Sequence, residues 1–211
     1  MSTAPDSSAT GSAPSRTPLQ QWLVDLPLTP NAISLAGLIG NLVAAVLIWQ
    51  EHFLLAGIAF ILGSVMDTLD GRYSRMSGKG TTFGAFLDST LDRIEEGIVL
   101  VAVVMVYAKH GDDLNAGIAA LAAVSSLLVS YTRARAEGLG LDGKAGIGSR
   151  AVRVVILSVG LCLGGEELIG GVDLLPASIY VLAALGVFTT AQRMWHVRSQ
   201  LIESAPKSDG R

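Results

Sequence analysis

The sequence predicts an all-α integral membrane protein: six transmembrane helices with a short N-terminal interfacial segment. Three observations predict it. Half of the 211 residues are hydrophobic and only 16% are charged, and a mean hydropathy of +0.51 is too apolar for an ordinary soluble domain. Apolar runs recur at about 32–49, 53–71, 83–108, 114–136, 151–170 and 174–195. Each is roughly long enough to cross a hydrocarbon core of about 30 Å at about 1.5 Å per residue. The segments between the runs alternate in sign, which is the asymmetry that orients membrane proteins.

The elements follow in chain order. Residues 1–18 are mostly Ser, Ala, Thr, Pro and Gly and predict a disordered cytoplasmic tail. They lack the basic start and apolar core of a secretory signal, so no cleavage is expected. Residues 19–28 are too few to span and predict an interfacial segment with Trp22 at headgroup level. Thr29, Pro30 and Asn31 bring capping side chains and a proline to the entry of the first span. The second span runs down to a turn expected over residues 71–82, and the third climbs back. Residues 201–211 read as a flexible C-terminal tail, leaving one membrane domain over 19–200 with no internal repeat. Gly37, Gly40, Gly160 and Gly164 permit close helix packing. The single cysteine, Cys162, lies in an apolar run and reads as a small buried hydrophobe.

Arg16 precedes the first span, and Arg72, Arg75 and Lys79 follow the second. Lys144 follows the fourth between Arg133, Arg135, Arg150 and Arg153, while Arg193, Arg198, Lys207 and Arg211 close the chain. The alternate loops hold Glu51, Asp112, Asp113, Glu166, Glu167 and Asp173, with Lys109 their only Lys or Arg. Both termini are therefore expected in the cytoplasm, with the protein in the plasma membrane.

Against this apolar background, Asp67, Asp70, Asp88 and Asp92 stand out. The first pair is spaced by three and the second by four, so each pair shares one helix face near the inner membrane surface. Two antiparallel helices joined by a short loop are expected to be neighbours, which brings four carboxylates to one depth. Unbalanced, they would repel strongly in a low dielectric. Any one of them reads as an interfacial polar residue; four together point to function. Oxygen ligands without a Cys or His cluster suit Mg²⁺ or Mn²⁺. Four carboxylates suffice for two ions clamping a phosphoryl displacement. No Ser, Cys or His stands out as a nucleophile, and His52, His110 and His196 lie near span ends.

The run Asp67-x2-Asp70-Gly71-x2-Ser74-Arg75-x8-Gly84-x3-Asp88-x3-Asp92 closely resembles the signature of the CDP-alcohol phosphotransferase family, DxxDGxxAR(x8)GxxxDxxxD. Its one departure is Ser74 where alanine is usual. The resemblance implies an enzyme that displaces CMP from a CDP-linked lipid, CDP-diacylglycerol, with an alcohol. Carried over by position, Asp67, Asp70, Asp88 and Asp92 would hold metal, and Asp92 would also serve as general base. Asn31, Asp70, Gly71, Ser74, Arg75 and Gly84 would meet the donor: glycine allows close backbone approach, and arginine forks onto phosphate oxygens. Family members are commonly homodimers. The implied partners are the two substrates, membrane lipids and a second copy of the chain, with no nucleic acid.

The acceptor is addressed by a second basic cluster. The fourth span ends in SYTRARAEGLG (130–140) and the fifth opens near SRAVR (149–153). Arg133 and Arg135 sit at a helix C-terminus, where the dipole favours cations, whereas Arg150 and Arg153 sit at an N-terminus, where it opposes them. An anion there would satisfy both the arginines and the free amides. Arg133, Arg135, Lys144, Arg150, Arg153 and Arg193 are thus the expected phosphate ligands for a phosphorylated polyol. The pattern resembles the inositol-phosphate-accepting branch, although Ser149 stands where that branch often has Glu. Glycerol 3-phosphate as acceptor and an archaeal-type lipid donor remain open. So does a non-enzymatic divalent-cation transporter, although the nearly apolar outer halves of the spans offer no through-path.

Overall fold

A computed structural model describes residues 30–77, 80–165 and 173–204, without the side chains of Pro30 and residues 70–77. The N-terminal tail, the interfacial segment expected over 19–28 and residues 205–211 of the expected C-terminal tail lie outside the described residues. Six α-helices follow in order: α1 (Pro30–Trp49), α2 (Phe53–Ser77), α3 (Thr82–Lys109), α4 (Asp113–Gly138), α5 (Arg150–Cys162) and α6 (Leu175–Ser204). The expected all-helical membrane fold is borne out in class and order.

Local chemistry sets several helix ends. Thr81 caps α3, its hydroxyl accepting from the Gly84 amide at 2.9 Å. Asp112 caps α4 through the Asn115 amide at 3.1 Å, and Asp113 complements the dipole of the first turn. Between α1 and α2, Glu51 takes a left-handed backbone (φ 64°). Its carboxylate accepts from Lys109 at 2.6 Å and lies 3.1 Å from His110 Nε2, tying this turn to the end of α3. Those two hydrogen bonds, Lys109 first, hold the Glu51 carboxyl below its ordinary pKa. His110 is thus a contact at a helix end, as its position predicted.

Three boundaries differ from the sequence reading. The turn expected from residue 71 is helix through Ser77. The fifth apolar run, expected over 151–170, is helical for 13 residues only, about 20 Å, and residues 166–172 are outside the description. α6 continues through Ser204, four residues into the expected tail. Asn31–Trp49, Asp113–Gly138 and Leu175–Ser204 are long and apolar enough to cross a membrane, and Phe53–Leu69 is a shorter apolar stretch. α3 is also long, at 28 residues, but its first half is charged. Large aliphatic side chains such as Leu35, Ile39, Leu62 and Val155 face outward, unlike a water-soluble surface.

α1 packs on both α2 and α3, α4 on α3 and α6, and α5 on α2 and α6. Contrary to the adjacency expected from their short connection, α2 and α3 barely touch among the described residues. At the α1–α2 crossing, a Cβ added to Gly63 would lie 2.7 Å from Asn41 Nδ2 and 3.0 Å from the Gly37 carbonyl. Glycine is therefore what lets those two backbones meet. The apolar core joins Ala44, Ile48, Phe60, Val99, Leu157 and Ile179 across five helices. It leaves a polar chamber between α2, α3 and α5.

Candidate active site

Asp67 enters the chamber from α2, only 7% exposed. Glycine at position 37 makes room for it, since a Cβ there would run into the Asp67 carboxylate. Asp92 and Glu95 enter from α3, and oxygens of Asp67, Asp92 and Glu95 lie within 4.8 Å of one another. Arg150, in the first turn of α5, reaches all three. Its NH2 is 2.8 Å from Asp67 Oδ2 and 3.1 Å from Glu95 Oε2, and its NH1 is 2.7 Å from Asp92 Oδ1. Among the described residues α3 and α5 make no close backbone approach, so the bridge is built from long side chains.

One turn along α5, Arg153 makes a second pair. Its Nε and NH2 donate to the two carboxylate oxygens of Glu96 at 2.7 and 2.8 Å, and its NH1 donates to the Gly148 carbonyl at 2.7 Å. Both partners are buried. The connection into α5 is held from α6 as well. Thr189 Oγ1 accepts from the Gly148 amide at 3.0 Å, and Arg193 donates to the carbonyls of Ala145 and Val129. These contacts frame a cavity of about 190 Å³ lined by Asp92 and Glu96 and by a basic wall of Arg93, Arg133, Lys144, Arg150, Arg153 and Arg193.

The expected site residues therefore divide. Asp67 and Asp92 come together, and Asp88 stands one turn before Asp92 on the same helix face, half-buried. The side chains of Asp70, Gly71, Ser74 and Arg75 lie outside the described residues, and their backbone is helical rather than turned. Asn31 and Gly84 are neighbours, since a Cβ on Gly84 would lie 3.3 Å from Asn31 Oδ1. Five of the six expected phosphate ligands line the cavity; Arg135 is exposed and does not. Arg150 and Arg153 face carboxylates as well as the cavity. Glu95 and Glu96 belong to the site without figuring among the residues expected from sequence. Their signal was present: they follow Asp92 by three and four, the helical spacing that had singled out the aspartates.

The donor set fits a hard divalent cation. Its oxygens are clustered, on two buried residues and the half-buried Asp92, and Glu95 Oε1 has no hydrogen-bond partner among the described residues. Asp67 and Asp92 would hold such an ion, neutralising charge that Arg150 and, at Asp92, Arg93 otherwise balance among the described residues.

Comparison with known proteins accords with this geometry. The model of the CDP-alcohol phosphatidyltransferase family matches residues 27–196. A phosphatidylinositol phosphate synthase of Mycobacterium marinum is 33% identical over 217 residues, 99% of this chain and 93% of its own. An archaetidylinositol phosphate synthase of Methanothermobacter thermautotrophicus is 42% identical over 149 residues, 70% of this chain and 72% of its own. The solved Mycobacterium tuberculosis phosphatidylinositol phosphate synthase in complex with manganese and citrate superposes with a TM-score of 0.78 at 29% identity, covering 92% of both chains. The same enzyme with CDP-DAG bound gives 0.77 at 27% identity, covering 92% of this chain and 96% of that one. With a family match that spans all six helices apart from the last turns of α6, this chain belongs to the CDP-alcohol phosphatidyltransferases, a family of membrane transferases.

Proposed function

We propose that this chain transfers the phosphatidyl group of CDP-diacylglycerol to inositol 1-phosphate, releasing CMP. One observation carries the reading: Asp92 belongs both to the carboxylate cluster and to the wall of a basic cavity. An acceptor whose phosphate lies against the basic wall can present a hydroxyl to Asp92. Lys144 and Arg133 are the exposed cations there, and three N–H donors of Arg153 are already occupied. The acceptor oxygen attacks the lipid-side phosphorus, the bond to the CMP oxygen breaks, and CMP leaves with the bonding electrons. Asp92 takes the hydroxyl proton as the new bond forms. A divalent ion held by Asp67 and Asp92, and by Asp70 and Asp88 as the signature implies, would supply neutralisation of the charge building on the phosphate oxygens. Asn31 and Gly84, side by side, would meet the nucleotide. An apolar groove between α1, α3 and α4 starts at Arg93, next to Asp92, and runs to Trp49; it offers a lane for an acyl chain.

Inositol 1-phosphate is favoured over glycerol 3-phosphate because the cited curated relatives are named for inositol phosphate products. Purified protein given CDP-diacylglycerol, Mg²⁺ and each alcohol should use inositol 1-phosphate well ahead of glycerol 3-phosphate. Free inositol should be poor because it leaves the basic wall without its anion. In inverted membrane vesicles the acceptor should be used without permeabilisation, since the site is proposed to face the cytoplasm. Preference for glycerol 3-phosphate would replace the acceptor, and equal use of inositol and its phosphate would remove the phosphate pocket.

A further inference from the structure

Arg150 is shared among three carboxylates and satisfied by none of them alone. It meets Asp67 and Asp92 at 2.8 and 2.7 Å but Glu95 through a single contact of 3.1 Å. Two buried atoms at this junction have no hydrogen-bond partner among the described residues, Arg150 Nε and Glu95 Oε1. They are the two atoms whose bond would complete a side-on fork between these side chains. The neighbouring pair shows that fork closed: Arg153 Nε and NH2 donate to Glu96 Oε1 and Oε2 at 2.7 and 2.8 Å. Glu95 and Glu96 are adjacent on α3, and Arg150 and Arg153 are one turn apart on α5, so the two pairs repeat one arrangement with one member half made.

We propose that Arg150 is a displaceable counter-ion and Glu95 the positioning residue that receives it. The inference rests on the reading that a divalent cation is held by Asp67 and Asp92. A cation there and the guanidinium would compete for the same oxygens, and two like charges about 4 Å apart repel strongly in a buried site. The guanidinium gives up Asp67 and Asp92 and closes the fork on Glu95, bringing Nε onto Oε1. Neither Glu95 nor Arg150 is then left as a lone buried charge, a loss that is otherwise strongly destabilising. Glu95 thus assists cation binding from one residue away, by taking up the competitor rather than by ligating the ion.

Mn²⁺ titration of full-length protein in detergent, with free Mn²⁺ read from its electron paramagnetic resonance signal, tests this without substrate or turnover. Glu95→Asp keeps the charge but withdraws the carboxylate by one methylene, so the fork cannot close. It should weaken Mn²⁺ binding about tenfold, within the usual range of coupling between sites. In an Arg150→Met background the competitor is gone, and Glu95→Asp should then change affinity by less than about twofold. If Arg150→Met does not fold, Arg150→Gln serves the same purpose, because a neutral amide carries no charge to compete with the cation. Weakening by Glu95→Asp in both backgrounds would make Glu95 a direct ligand and overturn the proposal. No weakening in either would reduce it to a bystander charge. Failure of the wild-type protein to take up Mn²⁺ would remove the cation site itself, and this inference with it.

Discussion

Asp92→Asn is expected to cut CMP release from CDP-diacylglycerol at least about 100-fold, about 2.7 kcal/mol of barrier, in a protein that still folds. Asparagine preserves the shape of the side chain and an oxygen for Arg150 NH1, which lies 2.7 Å from Asp92 Oδ1. It removes the two things the reaction needs at this position, a charge that helps hold the cation and a base that takes the hydroxyl proton. Turnover measured together with CDP-diacylglycerol binding separates these roles. Lost turnover with retained donor binding fits the base. Loss of both makes Asp92 chiefly a ligand, and the base must then be sought elsewhere. Near-normal turnover in a monodisperse variant would take Asp92 out of the chemistry.

Arg153→Ala is expected to act on the fold before it acts on the acceptor. The guanidinium is 3% exposed and forks onto Glu96, whose side chain is 8% exposed. Removing it leaves a buried carboxylate without its cation and the Gly148 carbonyl without its donor. Breaking one side of a buried pair costs about 3–5 kcal/mol, a large share of the roughly 5–15 kcal/mol that keeps a domain folded. Little monodisperse protein should be recovered, with a much lowered melting temperature. Replacing both partners, as in Arg153→Met with Glu96→Leu, should recover much of the loss, because no orphan charge remains. A stable Arg153→Ala protein with only a raised acceptor KM would show that the pair is a binding device and not a structural one.

The helical bundle was legible because its signal is local: apolar runs of the right length and loops of alternating sign. The boundaries that failed did so where local rules compete with context. Asp70 and Gly71 read as a turn, yet a mid-helix glycine costs only about 1 kcal/mol. A helix already nucleated over the apolar residues from Phe53 propagates through it to Ser77. The aspartates were legible from spacing, and Asp67 with Asp92 was a correct pairing. The reason given for it, direct packing of α2 on α3, was not: α1 and the arginines of α5 hold the chamber instead. The partners of Arg150 and Arg153 were not legible, because Glu95 and Glu96 lie more than fifty residues away in sequence. Nothing in a single sequence matches one RxxR pair to one Glu-Glu pair over that distance. With the acids unassigned, an acceptor phosphate or an anionic lipid headgroup was the visible counter-charge for those arginines.

The central claim is that a divalent cation held by the chamber's carboxylates makes phosphatidyl transfer possible. CMP release by purified protein from CDP-diacylglycerol and inositol 1-phosphate, followed as EDTA strips divalent ions and Mg²⁺ or Mn²⁺ is returned, tests it most directly. Turnover should fall to background in EDTA and recover when either ion is restored, with no recovery in Asp67→Asn protein. Undiminished CMP release in excess EDTA would contradict the account.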